Sequence, residues 1–454
     1  MKENISRRNF IRNTGLIAAG GMIVPSLLNS CAKKGSPNDK INVAMIGVGG
    51  RGSNHVVYML KLAQKAQIVA VCDPFEARRN DTAQKINEFY AKQKGLASYN
   101  GCLAYNNFHE VLARKDVDAV VIATPDHWHV AVAMAAAQAG KHIYLEKPLA
   151  LTIPDGQKLR KLVQQKGIAF QYGTQQRSDS KFRLAAELTR NEVFGKLERI
   201  DVWCDGGKGN FAPIATEPVP TGFDYELWQG PAMERPYCNA RVSNLGAWHI
   251  YDYAIGFVAG WGAHPIDIAQ WGNNSDDTSP FEYEGTGSFF EVGNLYNTMN
   301  SWDFQMKYAN GVQMHFFSED ICSPVIEKYR NYSGHGTTFF GTNGWVSVDR
   351  KEIQASNPEI LKHTFSPGET RLMASESHLG NLIDAIKNNT PTVSPIESAV
   401  RSDTISHLCD ILVRSGEKSL KWDPVTETLV NDSEKLQSLI TRSSRSPYGD
   451  ILKS

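Results

Sequence analysis

The sequence predicts an α/β protein in two parts, a parallel sheet flanked by helices and then an α+β region with a large, mostly antiparallel open sheet. Three observations predict it. Apolar runs alternate with helical patterns between residues 41 and 172, as in strands joined by crossover helices. A glycine-rich turn, Gly47-Val48-Gly49-Gly50-Arg51-Gly52, occupies the first strand–helix junction. After about Gly173 the apolar period becomes two, with turn signals between the runs.

The chain opens on an address. Ser6-Arg7-Arg8-Asn9-Phe10-Ile11-Arg12 precedes an apolar stretch, Leu16 to Leu28, too short for an ordinary membrane-spanning helix. Paired arginines before such a stretch read as a twin-arginine export signal. The stretch ends Leu27-Leu28-Asn29-Ser30-Cys31, which is similar to a bacterial lipoprotein cleavage site with Cys31 as the lipidated residue, although Asn29 is unusual there. The expected division is an export signal over 1–31, a polar tether over 32–40, a first domain over 41–172 and a second over 173–454. The protein is expected in the periplasm, touching membrane only through its signal or a lipid anchor.

In the first domain, Ile41, Val43, Met45 and Ile46 form a strand that runs into the glycine turn, a helix follows, and a second strand over Ile68–Val71 ends near Asp73. Strand, GxGxxG turn, helix, strand and acid is the order of a Rossmann dinucleotide site. Gly47 makes the tight turn, Gly49 admits a pyrophosphate, and Gly52 lets the helix pack on the strand. The helix N-terminus offers free N–H groups and a positive dipole end to phosphate. Asp73 would accept the ribose hydroxyls and repel a 2′-phosphate, which favours NAD over NADP. Further strands are expected at Ala119–Ala123, His142–Leu145 and Ala169–Tyr172, with helices over His129–Ala139, stopped by Gly140, and from about Pro154.

In the second domain a helix spans Ser180–Arg190. Strands are expected at Leu197–Val202, Gly287–Glu291, Trp302–Tyr308 and Val312–Phe317, the last two joined by Asn310-Gly311, a hairpin signal. Thr342-Asn343-Gly344 marks another turn. Helices are expected over Glu376–Lys387 and Glu397–Arg414, the second stopped by Gly416.

Composition excludes some classes. Lys plus Arg (48) balance Asp plus Glu (48), which argues against nucleic acid as a partner. The 454 residues suit two domains, each with its own core. Of seven cysteines, Cys31 belongs to the signal and the other six show no CxxC spacing, so neither a zinc site nor a redox pair is indicated. Buried free thiols are the expectation.

Four segments carry candidate chemistry. Ala123-Thr124-Pro125-Asp126-His127-Trp128-His129 lies at the carboxyl end of a strand, where open α/β sheets bind ligands. The His-x-His pair has no third ligand nearby, so cofactor contact and helix capping explain it better than metal. Glu146-Lys147-Pro148 also follows a strand. A lysine there can hydrogen-bond a substrate hydroxyl and favour its alkoxide, while position alone fits a solvated turn lysine. Gly173-Thr174-Gln175-Gln176-Arg177 lies at the domain junction. Trp248-His249-Ile250-Tyr251-Asp252-Tyr253 is followed by Gly260-Trp261-Gly262-Ala263-His264-Pro265-Ile266-Asp267, where His264 and Asp267 share a helix face.

Taken together, GVGGRG, ATPDHWH, AGKHIYLEKP, YGTQQR, DYELWQGPA, GWGAHPIDIAQWG and the KWDP and RSPY segments resemble the Gfo/Idh/MocA family over nearly everything after about residue 40. The resemblance implies a Rossmann domain and a C-terminal domain whose open sheet faces the nicotinamide. It implies Lys147 and His264 as catalytic residues, Lys147 polarising a hydroxyl and His264 taking its proton. Cofactor contacts are expected from Gly47, Gly49, Gly50, Arg51, Gly52 and Asp73, from Thr124, Pro125, His127, Trp128 and His129, and from Glu146, Lys147 and Gln175. Substrate contacts are expected from Arg177, Trp248, Tyr251, Asp252 and Asp267. The partner implied is a small carbohydrate, no metal is implied, and dimers or tetramers are common in the family.

One departure stands out. Family members with a full triad often carry an aspartate four residues before the histidine, and Gly260 stands there, leaving Asp267 or Asp252 to substitute. The chain also lacks the Tyr-x-x-His-Gly-Leu-Gly-like run associated with the family's NAD-dependent α-N-acetylgalactosaminidases. The leading expectation is an exported NAD-dependent dehydrogenase of a secondary hydroxyl, such as C3 of a hexosyl unit. Free NAD is scarce outside the cytoplasm, so the cofactor would be tightly held. The alternatives are a redox-neutral glycosidase, working by oxidation, elimination, hydration and reduction, and a sugar-binding lipoprotein without chemistry.

Overall fold

The computed structural model describes residues 40–209, 214–331, 333–430 and 433–453. The signal, Cys31 and the tether as far as residue 39 lie outside the described residues. Among those described, no helix is long and apolar enough to cross a membrane.

The first sheet has six parallel strands in the order β3-β2-β1-β4-β5-β6. They are β1 (Ile41–Ile46), β2 (Ala66–Cys72), β3 (Leu103–Tyr105), β4 (Ala119–Ile122), β5 (His142–Leu145) and β6 (Phe170–Tyr172). Helices α1 (Gly50–Lys61), α2 (Glu76–Lys94), α3 (His129–Gln138) and α4 (Ile153–Lys166) connect them. Strands β1, β2, β4 and β5 are nearly all buried, hence their unbroken apolar runs. The strand order reverses between β1 and β4, which opens a crevice at their carboxyl ends. Strand β3 was not expected, because it is a half-exposed edge of three residues with no apolar run to announce it.

The second sheet has nine strands in the order β13-β12-β11-β7-β10-β9-β8-β14-β15. They are β7 (Leu197–Cys204), β8 (Glu282–Phe289), β9 (Met299–Lys307), β10 (Gln313–Ser318), β11 (Gly336–Gly341), β12 (Gly344–Val348), β13 (Ile353–Ala355), β14 (Ser419–Asp423) and β15 (Thr428–Leu429). Only β7 and β10 pair in parallel. Gly311, at φ +90°, completes the β9–β10 turn. The strand expected at Gly287–Glu291 is corrected to Glu282–Phe289. Phe290 leaves the sheet to pack against His249 and Tyr296, a tertiary contact that period-two reasoning cannot see. Helices α5 (Ser180–Arg190), α6 (Ala263–Gly272) and α8 (Ile396–Ser415) share one core with this sheet, including Ile266, Trp302, Phe304, Phe316 and Leu408, while α7 (His378–Asn388) packs on the first domain.

The two sheets are tied across their junction. Asp403 of α8 accepts from the Leu149 and Ala150 N–H groups at 3.1 and 3.2 Å, fixing the chain just after Pro148. The Lys147–Pro148 and Ser446–Pro447 peptides are cis. Beyond the latter, Tyr448 meets the edge of Trp128, and Ile451 and Leu452 pack on the first domain's core. The six described cysteines are buried and form no disulfide among the described residues.

Candidate active site

The glycine turn is shaped as its sequence requires. Gly47 adopts φ +81°, and a Cβ there would lie 2.6 Å from the carbonyl oxygen of Ala123. A Cβ on Gly52 would overlap the carbonyl oxygen of Gly47, so α1 can seat on β1 only with glycine at that position. The first helical N–H to find an acceptor is that of Ser53, on Gly49 at 2.8 Å. The N–H groups of Gly50, Arg51 and Gly52 therefore have no acceptor among the described residues, which is how a helix N-terminus receives phosphate. Asp73 closes the other end of this cradle. Its carboxylate accepts from the N–H groups of Val48 and Phe75 at 3.0 and 2.9 Å, and Arg78 stands 3.5 Å away.

The cradle opens into a cavity of about 1180 Å³ lined by both domains. Gly47, Gly49, Gly50, Arg51, Asp73, Thr124, Pro125, Trp128, His129, Glu146, Lys147 and Gln175 line it from the first domain and the junction, and Trp248 and His264 from the second. Gly52 lies outside the lining, in its packing role. His127 is also outside it, and its expected cofactor contact is corrected. Its Nε2 is bonded to the carbonyl of Trp228 at 2.8 Å, and burial lowers its pKa to about 4. Trp128 Nε1 donates to Leu227 and Trp228 carbonyls, while His129 bonds those of Pro148 and Thr124. These residues thus brace the crevice walls through backbone oxygens.

Glu146 turns inward and anchors the loop that carries Lys147. Its carboxylate receives Arg51 at 2.9 Å, His55 at 2.6 Å and Gln175 at 2.8 Å. Burial alone would raise this carboxyl, but His55, Arg51 and Lys147 outweigh it and hold the group well below the usual carboxylate range. Lys147 points the opposite way. Its Nζ donates to the carbonyl oxygen of Gly260 at 2.5 Å and lies 5.5 Å from the ring centroid of Trp248. Burial lowers its pKa, with Glu146 and Asp126 opposing that shift.

His264 lies in the first turn of α6 and is 5% exposed. Its Nδ1 has no partner among the described residues. Burial, then the charges of Lys147 and Arg350, push its pKa well below the ordinary histidine value, so the imidazole is neutral near pH 7. Neither acid expected to orient it bonds it among the described residues. Asp267 is spent on Arg177 at 2.7 and 2.8 Å, and Asp252 on Arg235 at 2.7 Å.

Four expected substrate contacts are corrected by the same geometry. Arg177 and Asp267 form a buried pair, extended by Asp276 at 2.7 Å, outside the cavity wall. Tyr251 is clamped between the guanidinium groups of Arg414 and Arg442, and Asp252 faces Arg235. Aromatics such as Trp228, Tyr237 and Tyr253 belong to a core cluster. Sequence reasoning missed Asp126, Trp261 and Arg350, which all line the cavity. Asp126 is 4% exposed with Oδ2 unpartnered among the described residues. Burial raises its pKa to about 8 despite the pull of Lys147. Its place within the ATPDHWH motif was the available signal, whereas Arg350, on a hairpin turn, had none.

Comparison with known proteins agrees with this arrangement. Residues 41–174 match an oxidoreductase family's NAD-binding Rossmann fold, and residues 202–450 match the same family's C-terminal alpha/beta domain. The chain belongs to the Gfo/Idh/MocA oxidoreductase family. Its Rossmann domain is the NAD-binding domain of that family. An alpha-N-acetylgalactosaminidase of Shewanella oneidensis is 33% identical over 171 residues, 34% of this chain and 36% of that protein. A glycosyl hydrolase family 109 protein of Shewanella baltica is 29% identical over 168 residues, again 34% and 36% of the two chains. The chain thus matches little more than a third of the length of these relatives. Among solved structures, the WlbA dehydrogenase of Bordetella pertussis, in complex with NADH and UDP-GlcNAcA, superposes with a TM-score of 0.59 at 16% identity, covering 85% of this chain and 99% of that one. An aldose-aldose oxidoreductase of Caulobacter crescentus, complexed with glycerol, gives 0.57 at 17%, covering 84% and 100%. At these identities the likeness is one of fold.

Proposed function

We propose that the chain oxidises a secondary hydroxyl of a sugar or glycoside, with Lys147 holding the hydroxyl oxygen and His264 receiving its proton. The observation that carries this reading is the meeting of Lys147, from the end of β5, with His264, from α6, in one cavity that also contains Trp248 and Trp261. A hydroxyl displacing the Gly260 carbonyl as acceptor of the Lys147 ammonium would have its alkoxide character stabilised. Neutral His264 lines the same cavity and would take the released proton. NAD, when bound, accepts the hydride lost from the same carbon, and a ketone results. The unsatisfied N–H groups of α1 and the carboxylate of Asp73 would hold it. The indole of Trp248 suits the C–H face of a pyranose.

The likeness to glycosyl hydrolase family 109 proteins favours a second reading that shares this first step. Oxidation at C3 acidifies the C2 proton, the C1 substituent leaves, water adds, and the ketone is reduced again. That cycle returns NAD unchanged and suits an enzyme exported by its twin-arginine signal, the location we assign it, with Cys31 as anchor. The test is absorbance of reduced nicotinamide, near 340 nm for the cofactor itself (about 340 nm), on addition of glucosides and galactosides. A lasting rise with a keto-sugar product supports the dehydrogenase. Aglycone release without a lasting rise supports the glycosidase, and neither signal from a broad panel overturns both.

A further inference from the structure

Arg350 is the feature of the cavity that the preceding mechanism leaves unused. It follows β12 on the turn toward β13 and lines the same cavity as Lys147 and His264. Its guanidinium carbon lies 4.7 Å from the ring centroid of Trp261, and Trp261 in turn stacks on His335 at 4.8 Å and meets the edge of His264 at 5.6 Å. The acids beside it on the hairpin are already taken. Arg330 holds Asp349 at 2.5 Å and Glu352 at 3.5 Å. Arg350 itself has no hydrogen bond or ion pair among the described residues. An arginine laid on an indole keeps its hydrogen-bonding edge free for a planar oxyanion.

The charge around it points the same way. Lys147 is bonded to a neutral carbonyl rather than a carboxylate. Glu146, the nearest acid in sequence, is committed to Arg51, His55 and Gln175. Asp126 is driven toward its neutral form by burial. Arg51, which lines the same cavity, is the cation that Glu146 pairs, so Lys147 and Arg350 are left without a paired acid, and a low-dielectric wall strengthens their field.

We propose that the natural substrate is an acidic sugar, and that Arg350 receives its carboxylate or ester oxyanion while Lys147 and His264 act on a hydroxyl of the same ring. The proposal rests on the oxidoreductase reading for the role of that hydroxyl, but the anion site is testable without turnover. The experiment uses the full chain loaded with NAD and measures calorimetric binding and NAD reduction with methyl glucoside, methyl glucuronide, and a sulfated and a phosphorylated glucoside. Acidic ligands are expected to bind at least about tenfold more tightly than the neutral one (1.4 kcal/mol per tenfold), the best of them identifying the oxyanion. In Arg350→Gln that ratio is expected to collapse toward one, with NAD affinity unaltered. Equal binding of neutral and acidic sugars overturns the proposal. So does weakened NAD binding in Arg350→Gln with the sugar ratio intact, which would assign the arginine to the pyrophosphate. Selective binding of acidic sugars with neither NAD reduction nor release of the aglycone supports the anion site and instead overturns the oxidation chemistry.

Discussion

Lys147 donates from Nζ to the main-chain carbonyl oxygen of Gly260 at 2.5 Å. The residue that stands where related proteins often place an aspartate thus contributes through its backbone. The ammonium thereby reaches across the domain junction in the cavity that His264 also lines. Replacement of Lys147 by methionine keeps the stem and removes the donor. We expect turnover to fall by roughly a thousandfold, as for loss of a charged stabiliser of a developing oxyanion, while NAD stays bound. Rate and bound-cofactor content measured on one preparation decide it, and near-normal turnover would remove Lys147 from the mechanism.

Asp73→Ala should shift cofactor preference. Arg78 stands 3.5 Å from the Asp73 carboxylate, so removing the acid leaves a guanidinium free to pair with a 2′-phosphate. NADP affinity is expected to rise and NAD affinity to fall, for a relative change of about tenfold or more (about 1.4 kcal/mol). Titration of both cofactors gives the ratio. An unaltered preference would place ribose recognition elsewhere.

The legibility of these features in the sequence followed their range. The glycine turn, the buried strands of the parallel sheet and the β9–β10 hairpin were readable because each depends on residues a few positions apart. Lys147 and His264 were readable only through the resemblance, since neither is marked by spacing or composition. Arg177, Asp267, Tyr251 and Asp252 were misassigned for one shared reason. Their partners, Asp276, Arg414, Arg442 and Arg235, come from other segments, and a charged or aromatic side chain looks the same in sequence whether it faces a ligand or a salt bridge. Arg350 was invisible because its significance lies in Arg330 having taken the neighbouring acids.

The Arg177–Asp267 pair should be structural. Both side chains are at most 1% exposed, so Arg177→Ala strands a carboxylate in the interior at a cost of about 3–5 kcal/mol. Thermal unfolding is expected to shift down by several degrees, whereas KM of the surviving folded enzyme should move by less than about twofold, because uniform binding to substrate is intact. A large KM effect with unchanged stability would return Arg177 to the substrate site.

Asp126 gives a dependence on pH whose sign can be worked out. Its folded pKa of about 8 lies above the unfolded value of about 3.9, so the native state holds a proton that the unfolded state has lost. Stability from this group is fully present below the unfolded pKa and declines as pH rises toward the folded pKa. Asp126→Asn keeps the shape and removes the titration. The variant should match the parent near pH 4 and exceed it near pH 9, by on the order of 2 kcal/mol once relaxation around the buried charge is allowed for. Denaturant unfolding of both proteins across that range is the measurement. Parallel curves would mean that Asp126 is already ionised at neutral pH, held by Lys147, and the positive end of the cavity would then be weaker by one charge.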